Sequence, residues 1–453
     1  MLDYCVQDVV LNEAVYKFLQ KEGMGFSKQS FDLEQLTAAI MCEQEKTGFY
    51  FDSKQAMTLL AKLKQNMADV EDEVQKTFKP KWVDDKLVTP YIRKDGELSK
   101  RGLTDDEYAT ILTSNNHEPF MRKKLVEFNL GSRKQIGEYL IDFGWKPVRF
   151  TPTGQPIVDE GTLKKIEHIT EAKLIANFLL YQKRIAQVSS WIDELKNDRV
   201  HGRVIPNGTI TGRMTHRNPN MAQVPNLGSP FGKECRSLFT VPNGKKLVGI
   251  DISGLEVRML AHFMSKYDNG EYTKVVLDGD IHTETQTLAG LDSRDLAKRF
   301  YYCFLYGGGV KRIAEVTGKK VGEASKIKKR FLNNLPALSK LIEQVQLAAE
   351  RGHLVGLDKR QIKVRSAHAA LNTLLQSSGA LVCKQWLVEF NKLVKDIPET
   401  QQVVWVHDEI QVECLDKDAE TVGRLAVKAI ECTGKHFQLR LPLIKKIHMK
   451  WEE

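Results

Sequence analysis

Leu247-Val248-Gly249-Ile250-Asp251-Ile252-Ser253-Gly254-Leu255-Glu256-Val257-Arg258 is the stretch whose reading decides the fold. Its apolar, β-branched start reads as a buried strand and Ser253-Gly254 as a turn. Leu255, Met259, Leu260 and Phe263 then read as the apolar stripe of a following helix. Asp251 therefore stands at the end of a buried strand. A carboxylate in that place holds a metal ion or caps the next helix, and the stretch alone leaves both readings open.

The rest of the 453-residue chain is long enough for two or three packed units. It is 42% hydrophobic and 28% charged, with no apolar run near the roughly 20 residues needed to span a bilayer. The opening residues carry neither a basic start nor an apolar signal core, so no export signal is expected and the cytoplasm is the expected compartment. Seven scattered cysteines form no CxxC pair, which argues against a zinc site or a disulfide framework.

Sixty-seven Lys and Arg against 58 Asp and Glu leave a net charge of +9, a mild bias toward polyanionic partners. The distribution says more. Between Arg199 and Lys233 there are five basic residues and no acid, within a stretch broken by Pro206-Asn207-Gly208, Gly212 and Pro219-Asn220. Such a ribbon suits phosphate contacts, or is a solvated basic surface.

Along the chain, Tyr4 and Asp8 share one face of an N-terminal helix that continues through Leu19. A second helix is expected over Asp32–Lys46, ended by Thr47-Gly48. A long amphipathic helix with Leu60, Leu63, Met67, Val70 and Val74 follows, and another runs from Glu171 to Ile192. Residues 77–126 show little periodicity and read as loops and short helices. Ser132-Arg133-Lys134-Gln135 matches a capping box.

Arg294, Lys298 and Tyr302 recur at i, i+4 and i+8 and so share a helix face. Two cations and a ring there suit a triphosphate with its sugar or base, or form an ordinary amphipathic surface. Asn372 and Gln376 are spaced i, i+4 on a further helix, able to read minor-groove acceptors or to pair within the protein. Val403 to Cys414 alternates around His407-Asp408-Glu409 and reads as a hairpin with its acids at the turn. A strand-like segment from Leu443 to Met449 closes the chain. No GxxxxGK[ST] occurs, which argues against a P-loop motor.

In this order, Asp251-Ile-Ser-Gly-Leu-Glu256-Val-Arg258, Arg294-x3-Lys298-x3-Tyr302-x3-Tyr306-Gly307 and Val406-His407-Asp408-Glu409 resemble motifs A, B and C of the family A, DNA polymerase I type, polymerases. Their wording is most similar to the T-seven-type podophage replicative enzymes, and the resemblance runs from about residue 30 onward. It implies an α+β, right-hand polymerase fold with an antiparallel palm sheet and helical fingers and thumb. The implied partition is an exonuclease remnant at 1–30, a connecting helix at 31–47 and a thumb at 48–196 with a shortened insertion at 77–126. Palm (197–270), fingers (271–356) and palm again (357–453) complete it.

The implied activity is template-directed DNA synthesis, adding dNMP from dNTP to a primer 3′-hydroxyl with two Mg²⁺. By the resemblance, Asp251, Asp408 and the Ile252 carbonyl hold the metals, Glu409 supports them, and Lys298 neutralises or protonates the leaving group. Arg294, Lys298 and His282 grip phosphates, Tyr302 stacks on the nucleotide, and Tyr306 sits near the templating base. Glu256 pairs with Tyr302 and blocks a ribose 2′-hydroxyl. Arg213, Gln223, Asn372, Gln376 and His407 contact primer-template DNA. Cys303 replaces the family's usual glycine and is expected to narrow the insertion pocket.

Tyr4-x3-Asp8 resembles the last motif of the family's 3′-5′ exonuclease without the domain that precedes it there, which implies no proofreading by this chain and an exonuclease that is either a separately encoded subunit or has been removed from this chain. The short insertion implies no thioredoxin clamp. The rival readings are a single-subunit RNA polymerase and a non-catalytic DNA-binding subunit.

Overall fold

The structure, a computed structural model, describes residues 2–443, so most of the expected segment Leu443–Met449 lies outside the described residues. The chain divides into two compact units: one joins residues up to Ser53 with those from Ser190 onward, and the other is Lys54–Ser189.

The first unit is built on a three-stranded antiparallel sheet in which Glu409–Leu415 lies between Gln401–Val406 and Lys245–Asp251. Val248, Ile250, Ile410 and Val412 turn into one core and are at most 4% exposed. Each such side chain contributes roughly 1.5–3 kcal/mol when fully buried. The same core receives the long helix Ala370–Val394, most of whose residues are buried, and the closing helix Ala419–His436. The strand–turn–helix reading of the opening stretch holds, with Gly254 left-handed at φ 65° before the helix Leu255–Asp268.

Between Glu271 and Glu350 six helices follow one another: Glu271–Asp278, Ile281–Ala289, Arg294–Leu305, Val310–Thr317, Val321–Asn333 and Pro336–Glu350. Their joints are written in the sequence: Asp280 and Ser293 cap helix starts, Gly290 and Gly318 end helices in the left-handed region, and Pro336 occupies a first turn.

The basic ribbon folds as a short hairpin, Arg203–Ile205 against Thr215–Arg217, with Arg213 in its loop. Arg199 does not serve as a free cation there. Glu413 is fully buried, and Arg199 donates to both of its carboxylate oxygens at 2.8 and 2.9 Å while Lys245 adds a third bond at 3.0 Å. A buried carboxylate left without such partners would cost several kcal/mol.

The N-terminal helix Leu2–Gly23 forms as expected and has no buried residue; Tyr4 is 71% exposed. The next helix, Lys28–Thr47, is anchored by Leu33, Thr37 and Met41 and ends at Gly48.

The second unit carries its own core, including Phe78, Phe128, Ile136, Leu140, Leu163 and Ile175. Two expectations change here. Residues 77–126 contain an antiparallel ribbon, Lys81–Val88 with Phe120–Val126, besides the helix Asp105–Ser114. Its strands escape periodicity because almost every residue on both is solvent-facing. The Ser132 hydroxyl does cap at 3.3 Å, but Gln135 turns its carbonyl to the Asn129 N–H at 2.7 Å, so the reciprocal half of the box is missing. A complete box stands at Thr104 and Glu107.

Candidate active site

The sheet brings two of the three motifs to one end. Asp251, last in its strand, is the register partner of Glu409, first in its own, and the Ile252 N–H donates to the Asp408 carbonyl at 3.0 Å. His407 takes φ 55° in the two-residue turn, His407-Asp408, that joins Gln401–Val406 to Glu409–Leu415. Partial burial and then the neighbouring Asp251 charge push the Asp408 carboxyl up to about 7. Burial and the Glu409 charge raise Asp251 as well. Neither carboxylate has a basic ion-pair partner among the described residues.

Two crowded acids that resist ionisation in the bare protein are a donor set suited to hard cations. Among the described residues no group of three or more acidic, His or Cys side chains forms a closed cage. Two carboxylates with room for substrate phosphates is the usual manner of holding Mg²⁺.

Beside Asp408 opens a cleft of about 290 Å³ lined by Gly212, Arg213, Glu256, Tyr306, His407 and Lys384, among others. Arg213 donates to Glu256 at 2.6 Å. The expected pairing of Glu256 with Tyr302 is therefore replaced: the carboxylate's bond goes to the guanidinium, and its charge acts on the Tyr302 and Tyr306 phenols, whose proton affinity burial and that charge raise. A charged donor outcompetes a phenol for a carboxylate. The Tyr302 and Tyr306 rings stack 6.2 Å apart at 20°.

Glu409 faces differently from Asp408. Its carboxylate accepts from Gln411 at 2.7 Å and lines a second cleft of about 500 Å³, with Arg236, Met221 and Asn226. Gln223 is exposed on the short turn Met221–Gln223, which contributes neighbours to that second cleft and none to the first. His216, partly buried and close to the His407 ring, is held down to about 4 by that burial first and the neighbouring His407 second.

The cationic motif lies on one helix, as its spacing requires. Ser293 caps Arg294–Leu305, whose buried face is Leu296, Ala297, Phe300, Tyr301 and Phe304. Lys298 is exposed and without an acidic partner among the described residues. His282, 9% exposed, sits 5.7 Å from Tyr302 and 6.1 Å from Tyr301, with its Nδ1 buried and unpaired. Arg294 is gripped by Asp280, a residue to which the sequence reading gave no role.

On the helix Ala370–Val394, Asn372 and Gln376 are half-exposed among buried neighbours. Gly379, Ala380, Cys383 and Lys384 continue the same face into the cleft and were overlooked, although the i+4 and i+3 steps from Asn372 and Gln376 point to them. Cys303 is half-buried on the helix Arg294–Leu305. Its sulfur lies against Gly308, where an added Cβ would come within 2.4 Å of it, and its thiol is raised by burial. Arg258, buried, bonds the Ser253 and Pro442 carbonyls and holds the turn.

With this geometry in view, the profile of DNA polymerase family A matches residues 106–453. The chain belongs to DNA polymerase family A. It is 34% identical over 536 aligned positions to the DNA-directed DNA polymerase of Enterobacteria phage T3, covering all of this chain and 76% of that one. The DNA-directed DNA polymerase of Escherichia phage T7 is also 34% identical, over 97% of this chain and 74% of its own length. The likeness thus includes the residues before 30, beyond the span the motifs alone suggested. An alignment of 536 positions for a chain of 453 leaves the phage relative with segments that this family A polymerase lacks.

The fold matches the POL domain of Pol1 from M. smegmatis, solved in complex with DNA primer-template and dNTP, at a TM-score of 0.73 and 18% identity, covering 92% of this chain and 69% of that one. The match shows the α+β polymerase fold, and membership of the family carries its reaction, template-directed DNA synthesis. Among the described residues no helix is long and apolar enough to cross a membrane.

Proposed function

We propose that this family A polymerase adds dNMP to a primer 3′-hydroxyl at the sheet end formed by Asp251 and Asp408. The observation that carries this reading is their convergence beside an open cleft, with Asp408 raised to about 7. Asp251, Asp408 and the Ile252 carbonyl would hold two Mg²⁺. When bound, such ions supply Lewis-acid activation of the attacking hydroxyl and neutralise charge on the leaving pyrophosphate.

The protein's own groups do the rest. Lys298 and Arg294 bind the triphosphate oxygens, and Lys298 can pass a proton to the pyrophosphate as it leaves. His282, neutral through burial, offers a hydrogen bond instead of a charge. Tyr302 supports the nucleotide and Tyr306, stacked on it, the templating base. Glu256, fixed by Arg213, excludes a ribose 2′-hydroxyl. Arg213, Asn372, Gln376, Gln223 and His407 contact the primer-template duplex, and Glu409 acts on the metal site through its charge.

We read Lys54–Ser189 as the core of the thumb, the helical stretch 271–356 as fingers and the sheet as palm. The DNA-binding-subunit reading gains nothing from paired carboxylates, and the RNA polymerase reading is opposed by Glu256. The short ribbon at 81–126 supports the absence of a thioredoxin clamp. Extension of a 5′-labelled primer with dNTPs but not NTPs, and an unshortened primer without nucleotide, is the expected result. Extension with NTPs, or shortening of the primer, would overturn the corresponding part.

A further inference from the structure

We propose that Asp280 is a positioning residue for the incoming triphosphate, one carboxylate that sets both Arg294 and His282. The inference rests on the reading of Arg294 and Lys298 as the phosphate grip. Asp280 Oδ1 accepts from the backbone N–H groups of His282 at 3.0 Å and Thr283 at 3.4 Å, capping the helix Ile281–Ala289, and Oδ2 accepts from the Thr283 hydroxyl at 3.1 Å. The same two oxygens take the fork of Arg294, Nε at 2.6 Å and Nη2 at 3.2 Å. Arg294's hydrogen bonds hold the Asp280 carboxyl well below the usual carboxylate range.

The consequence is geometric. With Nε and Nη2 occupied, the Nη1 edge is what Arg294 has left for an anion, and it has no partner among the described residues. Lys298 stands one turn further along the same helix. His282 is placed by its own backbone bond to Asp280, and its imidazole carries the buried, unpaired Nδ1.

A carboxylate beside a triphosphate site could instead act as a latch that the nucleotide must displace. The helix cap argues against this: two backbone N–H groups and a hydroxyl fix Asp280, so it cannot swing aside without uncapping the helix. A planar fork held on one edge loses less freedom when its other edge binds phosphate.

Asp280→Asn tests this, because asparagine caps a helix as well as aspartate does but lacks the charge that holds Arg294. The variant should melt like the parent, bind primer-template unchanged, and show a KM for dNTP raised about tenfold with kcat within about twofold. The KM for pyrophosphate in the reverse reaction should rise in parallel. In an Arg294→Ala background the same substitution should change the dNTP KM less than about twofold.

An unchanged or lowered dNTP KM in Asp280→Asn, while Arg294→Ala alone raises it, overturns the positioning role. A dNTP KM unmoved by Arg294→Ala overturns the phosphate-grip reading and this inference with it.

Discussion

Arg213 Nη2 lies 2.6 Å from Glu256 Oε1, joining the loop of the basic hairpin to the first turn of the helix that follows Asp251. The pair couples the residue proposed to face the duplex to the residue proposed to exclude ribose. Glu256→Ala should raise the kcat/KM for NTPs relative to dNTPs by about 10- to 100-fold, the loss of roughly 1.4–2.8 kcal/mol of discrimination. Competitive insertion of each nucleotide opposite one template base measures it, and an unchanged ratio would remove Glu256 from that role.

The Asp408 carboxyl, at about 7, links metal use to pH. Its folded value lies above the ordinary 3.8, so the folded, metal-free protein holds an extra proton between roughly pH 4 and 7. That group's contribution to stability is therefore present below pH 4 and is lost as pH rises toward 7. A cation needs the deprotonated form. Activity at limiting Mg²⁺ should climb up to about pH 7, and saturating Mg²⁺ should move that midpoint to lower pH. Identical midpoints at both concentrations would contradict the linkage.

Beneath Gly212 lies a buried cluster of four charges. Lys384, fully buried, donates to both Glu34 oxygens at 2.6 and 2.8 Å, while Arg360 reaches Glu34 at 2.5 Å and Asp358 at 2.8 Å. Glu34→Ala leaves two cations short of an anion and should cost about 3–5 kcal/mol of stability. Urea unfolding reads this directly. Glu34→Leu with Lys384→Met should lose less than the single change.

In the unit Lys54–Ser189, the Arg122 guanidinium beside Glu107 takes its carboxyl down to about 2. A depressed carboxylate stabilises above its unfolded value of 4.5 and loses that contribution as pH falls toward 2. Amide exchange in Phe120–Val126 should accelerate across that window, and Glu107→Gln should abolish the pH dependence.

What the sequence made legible depended on how local the cause was. The Asp251 turn, the hairpin around Asp408 and the shared face of Arg294, Lys298 and Tyr302 follow from spacing within a dozen residues, and each is where spacing put it. The ribbon Lys81–Val88 with Phe120–Val126 was not legible, because periodicity reports burial and this pairing buries little. Long-range charge choices were equally hidden. Arg199 belongs to Glu413 and Glu256 to Arg213 because of folding across more than 200 and 43 positions, which no local pattern encodes. Asp280 carried no signal of its own in the sequence; its cap of Ile281–Ala289 and its hold on Arg294 became visible only in the folded chain.

Asp251 and Asp408 form the proposed catalytic metal site, and single-turnover dNMP incorporation by Asp408→Asn tests that role most directly. Primer-template affinity and thermal stability would be measured on the same preparation. Incorporation should fall by at least about a thousandfold, roughly 4 kcal/mol, with duplex binding and folding intact. Incorporation within about tenfold of the parent would contradict the account and send the search for the metal site elsewhere in the cleft.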